Sequence, residues 1–266
     1  MRLPQGELLK VSFYWPARTE AEALRELVAA LVSQGARFTG EAYVHRGAGI
    51  RDEPFASPTD ELSQQVYISD LRSLARQMRD ANTRVVSVEM SGASGANRGI
   101  VEIVTYVRIS ESSVGRDRHP LTIRTEGWMF CGTFRQSHAR RAKRVGRAVY
   151  GRLRLLVERL EPAYAAITIE EFMECPTDLS RGPSSISFTD FYVSAGFLGE
   201  PDLSRVRNLF PTAYAEPIAD GVYISCTSEF NPAGASVDPL EASFLSVEAG
   251  KIIGAAGTRN RAARDR

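Results

Sequence analysis

Leu8-Leu9-Lys10-Val11-Ser12-Phe13-Tyr14-Trp15 is the stretch from which the fold of this chain can be read. It reads as a strand, and Pro16 separates it from a helix carrying Ala23, Leu24, Leu27, Leu31 and Val32 at helical spacing. Gly35 supplies the left-handed cap that ends such a helix, and Phe38 to His45 reads as a second strand. The result is a β-α-β unit. Gly47 to Ser63, with Pro54 and Pro58 among polar residues, reads as a long surface loop.

A second unit follows. Val66-Tyr67-Ile68 begins as a short strand, Asp70 can cap a helix with Leu71, Leu74, Ala75 and Met78 facing inward, and two β-branched runs come next. These are Val85 to Met90 and Ile100 to Tyr106, a hairpin joined by a glycine-rich loop. After the polar break at Glu111 to Arg118 the pattern restarts. A strand is expected at Leu121 to Phe130, then the longest helix, about Ser137 to Leu160. Its inward stripe is Ala142, Val145, Val149, Leu153, Leu156 and Leu160, with Arg140, Arg144, Arg147 and Arg154 on the other side. Pro162 stops it. Strands at Tyr164 to Phe172, Ile186 to Val193 and Gly221 to Thr227 follow, with a short helix near Asp202 to Leu209.

Strand, helix and strand thus recur in both halves. The pattern predicts an α+β protein of two similar β-α-β-containing halves, with helices packed on mixed or mainly antiparallel sheets. The division expected is 1–115 for the N-terminal half, 116–250 for the C-terminal half, and 251–266 as a mobile tail rich in Ala, Gly and Arg.

The charge of the chain is segregated along its second half. Between Arg116 and Leu160 twelve Arg/Lys stand against three Asp/Glu, and between Glu161 and Glu248 three stand against fourteen, although the whole chain is only +1. Either two opposed surfaces meet partners, or the two spans neutralise each other within the fold. Arg140, Arg141, Lys143 and Arg144 fall in the first turns of the long helix, where the dipole disfavours cations by about 0.3–1 kcal/mol each. With Arg147 they form a candidate anion-binding set, suited to a phosphate, a nucleic-acid backbone or an acidic protein surface. No aromatic residues are interleaved with them for base stacking, which disfavours single-stranded nucleic acid. Glu170, Glu171, Glu174 and Asp178 form an acidic candidate for contact with a basic partner.

Catalytic chemistry has little to stand on. His45, His119 and His138 lie in different elements without metal-ligand spacing, so no metal or other cofactor is expected. Gly92 to Gly99 lacks both nucleotide-binding glycine patterns, and no G-x-S-x-G elbow exists. Cys131, Cys175 and Cys226 are odd in number and far apart, which predicts neither disulfide nor zinc and suits a reducing cytoplasm. No stretch approaches the ~20 apolar residues of a spanning helix, so no membrane partner is expected.

Phe13-Tyr14-Trp15-Pro16-Ala17-Arg18 before an apolar helix, and Glu161-Pro162-Ala163-Tyr164-Ala165-Ala166-Ile167 after a long one, resemble the layout of bacterial polymorphic-toxin immunity proteins. The resemblance implies a compact cytoplasmic α+β protein that binds and blocks a cognate toxin, and it transfers no catalytic residue. The reading reached from sequence is therefore a non-enzymatic protein-binding module of a bacterial conflict or defence system. Its alternatives are an enzyme or binding protein acting on a phosphorylated or nucleic-acid ligand through the arginine helix, and a structural subunit of a larger assembly.

Overall fold

Ten strands form one antiparallel sheet in the order β3-β2-β4-β5-β6-β1-β7-β8-β10-β9, with seven helices packed on it among the described residues. The structure is a computed structural model describing residues 8–16, 20–46, 63–79, 83–91, 101–107, 121–170, 173, 176, 179 and 190–264. The strands are β1 (Leu8–Tyr14), β2 (Arg37–Arg46), β3 (Ser63–Tyr67), β4 (Thr83–Ser91), β5 (Val101–Val107), β6 (Leu121–Glu126), β7 (Tyr164–Ile169), β8 (Asp190–Ser194), β9 (Ala215–Ile218) and β10 (Gly221–Ser225). The helices are α1 (Glu20–Ser33), α2 (Leu71–Arg79), α3 (Gly132–Ser137), α4 (Ala139–Leu160), α5 (Ala195–Leu198), α6 (Glu200–Leu209) and α7 (Pro239–Arg264). The α+β class is what the structure has, and of the mixed or mainly antiparallel sheets expected from sequence it has one sheet, antiparallel throughout the described residues.

β1 occupies the middle of the sheet. It pairs with β6 on one side and β7 on the other, so the sheet crosses the boundary placed at 115/116. Register explains the layering. Val66, Ala42, Val88, Val104, Ile123, Val11 and Ile167 lie opposite one another across seven strands, and directly opposed residues share a face. This row continues into Asp190 and Ser225, which are joined by a 2.5 Å hydrogen bond from the serine hydroxyl. Onto this face pack α1, through Leu24, Leu27, Val28 and Leu31, and α4, through Val145, Val149, Leu153 and Leu156.

The opposite face changes character at β1. On β7, β8 and β10 it is apolar, with Tyr164, Ala166, Phe191, Val193, Val222 and Ile224 buried in a second core with Phe197, Val206, Ile252 and Ile253. On β1, β6 and β4 the same face carries buried Lys10, Ser12, Thr122, Arg124 and Glu89. Ser12 and Thr122 hydroxyls meet at 2.9 Å, and the Lys10 ammonium donates to the Glu170 carbonyl. The helices α5, α6 and α7 thus form a second layer over the C-terminal strands.

Several boundaries differ from the sequence reading for local reasons. Val32 is exposed, and Val28 takes its place in the inward stripe of α1. β6 ends at Glu126, after which Trp128–Phe130 make a short 3-10 turn that sets the Phe130 ring 5.1 Å from Phe230. The expected loop at 47–62 and the hairpin connection at 92–100 lie outside the described residues. Where sequence suggested a mobile tail, residues 251–264 continue α7, and Ile252, Ile253 and Ala256 are buried. Gly257 has a packing reason: a Cβ there would stand 2.4 Å from Pro176.

Candidate functional site: the cationic face of α4

The α4 stripe that buries Val145, Val149, Leu153 and Leu156 leaves the opposite side of the helix to solvent, and the cations follow from that choice. Arg140, Lys143, Arg144 and Arg147 are all exposed. At 1.5 Å rise per residue they cover about 10 Å of one helix side. Their spacing creates four like-charge neighbours at i,i+3 or i,i+4: 140/143, 140/144, 143/147 and 144/147. At roughly 0.2–0.5 kcal/mol each, the stripe costs the isolated helix about 1–2 kcal/mol.

The chain neutralises the flanks of this stripe and leaves its centre alone. Before it, Arg135 makes a two-pronged pair with Glu229, Nε to Oε1 at 2.8 Å and Nη2 to Oε2 at 2.7 Å. Burial raises the Glu229 pKa, but the Arg135 guanidinium and the Ser228 hydroxyl outweigh it, so the carboxyl lies below its usual range. After it, Arg154 reaches Glu158 at 3.0 Å and Glu216 at 3.2 Å, and the Tyr150 hydroxyl also donates to Glu216. Glu229 and Glu216 both come from the acidic span, so intrachain neutralisation operates at these two points. Among the described residues no carboxylate lies within 4 Å of Arg140, Lys143, Arg144 or Arg147.

Arg141 behaves differently from its neighbours. Its guanidinium carbon sits 4.9 Å from the centre of the Trp128 ring, whose edge meets the His138 ring at 4.9 Å between centroids. The sequence set Arg140, Arg141, Arg144 and Arg147 is therefore brought onto one helix, with Arg141 turned onto an indole at its margin. Lys143 completes the exposed group.

The acidic candidate is not assembled in the described residues. Glu170 is exposed just past β7, at a φ of 61°, while Glu171, Glu174 and Asp178 lie outside them. His119 and the His45 side chain are also outside, and His138 contacts the Ser137 hydroxyl at 2.9 Å. No group of three metal-ligating side chains occurs among the described residues. Cys226 is buried, and burial followed by the Asp190 carboxylate pushes its thiol up to about 12, which suits an inert core thiol. Among the described residues no helix is long and apolar enough to cross a membrane.

No family model and no curated protein matches the chain. Among solved structures, the Pseudomonas aeruginosa T6SS protein PA0821 aligns over 93% of this chain and 73% of its own, at 13% identity and a TM-score of 0.43.

Proposed function

We propose that the protein is a non-enzymatic binding module, of the kind that immunity proteins of bacterial conflict systems represent, whose cationic α4 face docks against an acidic surface of a partner protein. The observation that carries this reading is the group Arg140, Lys143, Arg144 and Arg147: four exposed, mutually repelling cations with no carboxylate within 4 Å among the described residues. A counter-charged partner relieves the repulsion, and guanidinium forks give it orientation as well as attraction. The rigid backing of α4 on the sheet supports occlusion, because a docking face that does not rearrange loses little entropy on binding. The acidic residues Glu170, Glu171, Glu174 and Asp178 belong to this reading as a second contact toward a basic part of the same partner.

The test is co-purification of tagged protein from nuclease-treated host lysate, beside an R140E/K143E/R144E/R147E variant with an unchanged melting temperature. A stoichiometric protein retained by the wild type and lost by the variant is the expected result. Retention of nucleic acid alone, in a parallel preparation without nuclease, would move the reading to a phosphate-bearing ligand on the same arginines.

A further inference from the structure

At the end of the sheet where β1, β7, β8 and β10 terminate, six segments line an open cavity of about 670 Å³. Its walls come from the end of β1 (Trp15, Pro16), the last turn of α4, the start of β7, the β8–α5 junction, the β9–β10 turn and the last turns of α7. The volume falls within the roughly 300–1,000 Å³ typical of small-ligand sites.

The floor is apolar and held in place. Trp15, Ala163 and Phe197 form it, and Trp15 Nε1 donates to the Leu160 carbonyl at 2.9 Å. Backbone bonds tie the same wall together: Ala163 N to Tyr14 O at 3.0 Å, Ser194 N to Ala163 O at 3.1 Å, and Ala195 N to Asp220 O at 3.2 Å. Asn260 on α7 donates to the Phe197 carbonyl at 2.9 Å, closing the far side.

The rim is of one sign. Glu158, Glu161 and Asp220 line it, and among the described residues no lysine or arginine does. Glu158 has Arg154 as its cation at 3.0 Å, whereas no cation stands within 4 Å of Glu161 or Asp220 among the described residues. Asp220 is oriented from both sides, by the Tyr192 hydroxyl on Oδ1 at 2.8 Å and the Gly196 N–H on Oδ2 at 3.2 Å. Burial, then Asp220 itself, pushes the Tyr192 phenol far above its usual range, so it remains a neutral donor to that carboxylate. Glu161 and Ala219, both on the rim, hold φ values of 48° and 50°, a region that costs residues with a Cβ energy unless the surroundings enforce it.

An apolar floor under two uncompensated carboxylates selects its guest by charge and shape. We infer that this cavity binds an organic cation, a guanidinium or ammonium group carried on an apolar stem, with the stem on Trp15, Ala163 and Phe197 and the head between Glu161 and Asp220. Two sources share this chemistry: a free amine or guanidine, and an arginine or lysine side chain presented by a polypeptide. The inference does not depend on the cationic face of α4, which lies about 16 Å away along the helix axis at Arg147 relative to Glu158.

The test uses the full chain carrying Trp128→Phe, which leaves Trp15 as the single indole reporter. Agmatine and a blocked Gly-Arg-Gly peptide are titrated while the Trp15 indole N–H is followed by NMR, with a blocked Gly-Glu-Gly peptide as control. Saturable shifts with a cationic probe and none with the control are expected, and Glu161→Gln is expected to weaken binding at least tenfold. Glu161→Gln is chosen because the carboxylate is exposed and its loss leaves the fold intact. Gly196→Leu, whose Cβ would meet only the Asp220 carboxylate at 3.6 Å, fills the mouth and is expected to abolish the shifts. Binding of the peptide without agmatine assigns the site to a partner's side chain, and the reverse to a free ligand. The inference is overturned if neither probe moves the indole at millimolar concentration, or if both variants bind as the parent does. R140E/K143E/R144E/R147E is expected to leave these titrations unchanged, so the cavity and the α4 face fail separately.

Discussion

Two glycines on α4, five residues apart, have opposite expected responses to the same substitution. In an exposed helix interior Gly→Ala is favourable by about 1 kcal/mol, because the unfolded glycine has more freedom to lose. Gly151, half-buried, has room for the added methyl, since a Cβ built there finds nothing within 4 Å. At Gly146 a Cβ would stand 2.4 Å from the Glu229 carbonyl oxygen and 2.8 Å from the Glu229 Cβ. That is about 1 Å short of ordinary contact, so either α4 or the Glu229 segment must move. Overpacking of this kind costs about 1–3 kcal/mol, and here it displaces a residue whose carboxylate is clamped by Arg135. Net of the helix gain, Gly146→Ala is expected to lose up to about 2 kcal/mol while Gly151→Ala gains up to about 1. For a chain of this size each kcal/mol moves the melting temperature by about 2–4 °C. Thermal and urea unfolding of the two variants beside the parent measure it. If Gly146→Ala is as stable as Gly151→Ala, the close seating of α4 on the Glu229 segment is wrong.

Glu229→Gln is expected to cost about 1–2 kcal/mol at neutral pH, allowing for the half-exposed guanidinium of its partner. Because the folded Glu229 pKa is lowered from an unfolded value of about 4.3, its contribution is complete above that value and disappears as pH falls through the folded one. Unfolding curves taken from neutral to acid pH should therefore converge for parent and variant at the acid end. Truncation after Gly250 removes buried Ile252 and Ile253, worth about 3–6 kcal/mol together, and is expected to lower the urea midpoint sharply or abolish soluble expression. Asp190→Ala strands the Ser225 and Thr227 hydroxyls, which now donate to it at 2.5 and 2.6 Å. Its expected cost is about 2–4 kcal/mol by denaturant titration.

The local elements were legible because each is written in a short span. Gly35 ends α1 at a φ of 91°, and Asp70 caps α2 by accepting from Ser73 N at 2.8 Å. The α4 stripe is buried as its spacing requires. What could not be read is who pairs with whom. Nothing in Leu8–Tyr14 says that β1 lies between β6 and β7, because both partners are more than a hundred residues away. α7 escaped for another reason: Gly250, Gly254 and Gly257 argue for a loop, and only the approach of Pro176 explains one of them. The charge segregation was visible, but its outcome is a matter of tertiary distance. Arg135 and Arg154 meet acidic residues from later in the chain, while the four cations between them do not. The cavity at the sheet end was invisible for the same reason, since Trp15, Glu161, Asp220 and Asn260 span almost the whole sequence.

Recognition of an acidic protein surface by the α4 cations is measured by the Kd of the captured partner for the parent and for R140E/K143E/R144E/R147E at low and high salt. A loss of at least tenfold is expected at low salt, about 1.4 kcal/mol or more, with a parent affinity that weakens as salt rises. An unchanged Kd in the variant at low salt, where the charges are least screened, would refute this recognition.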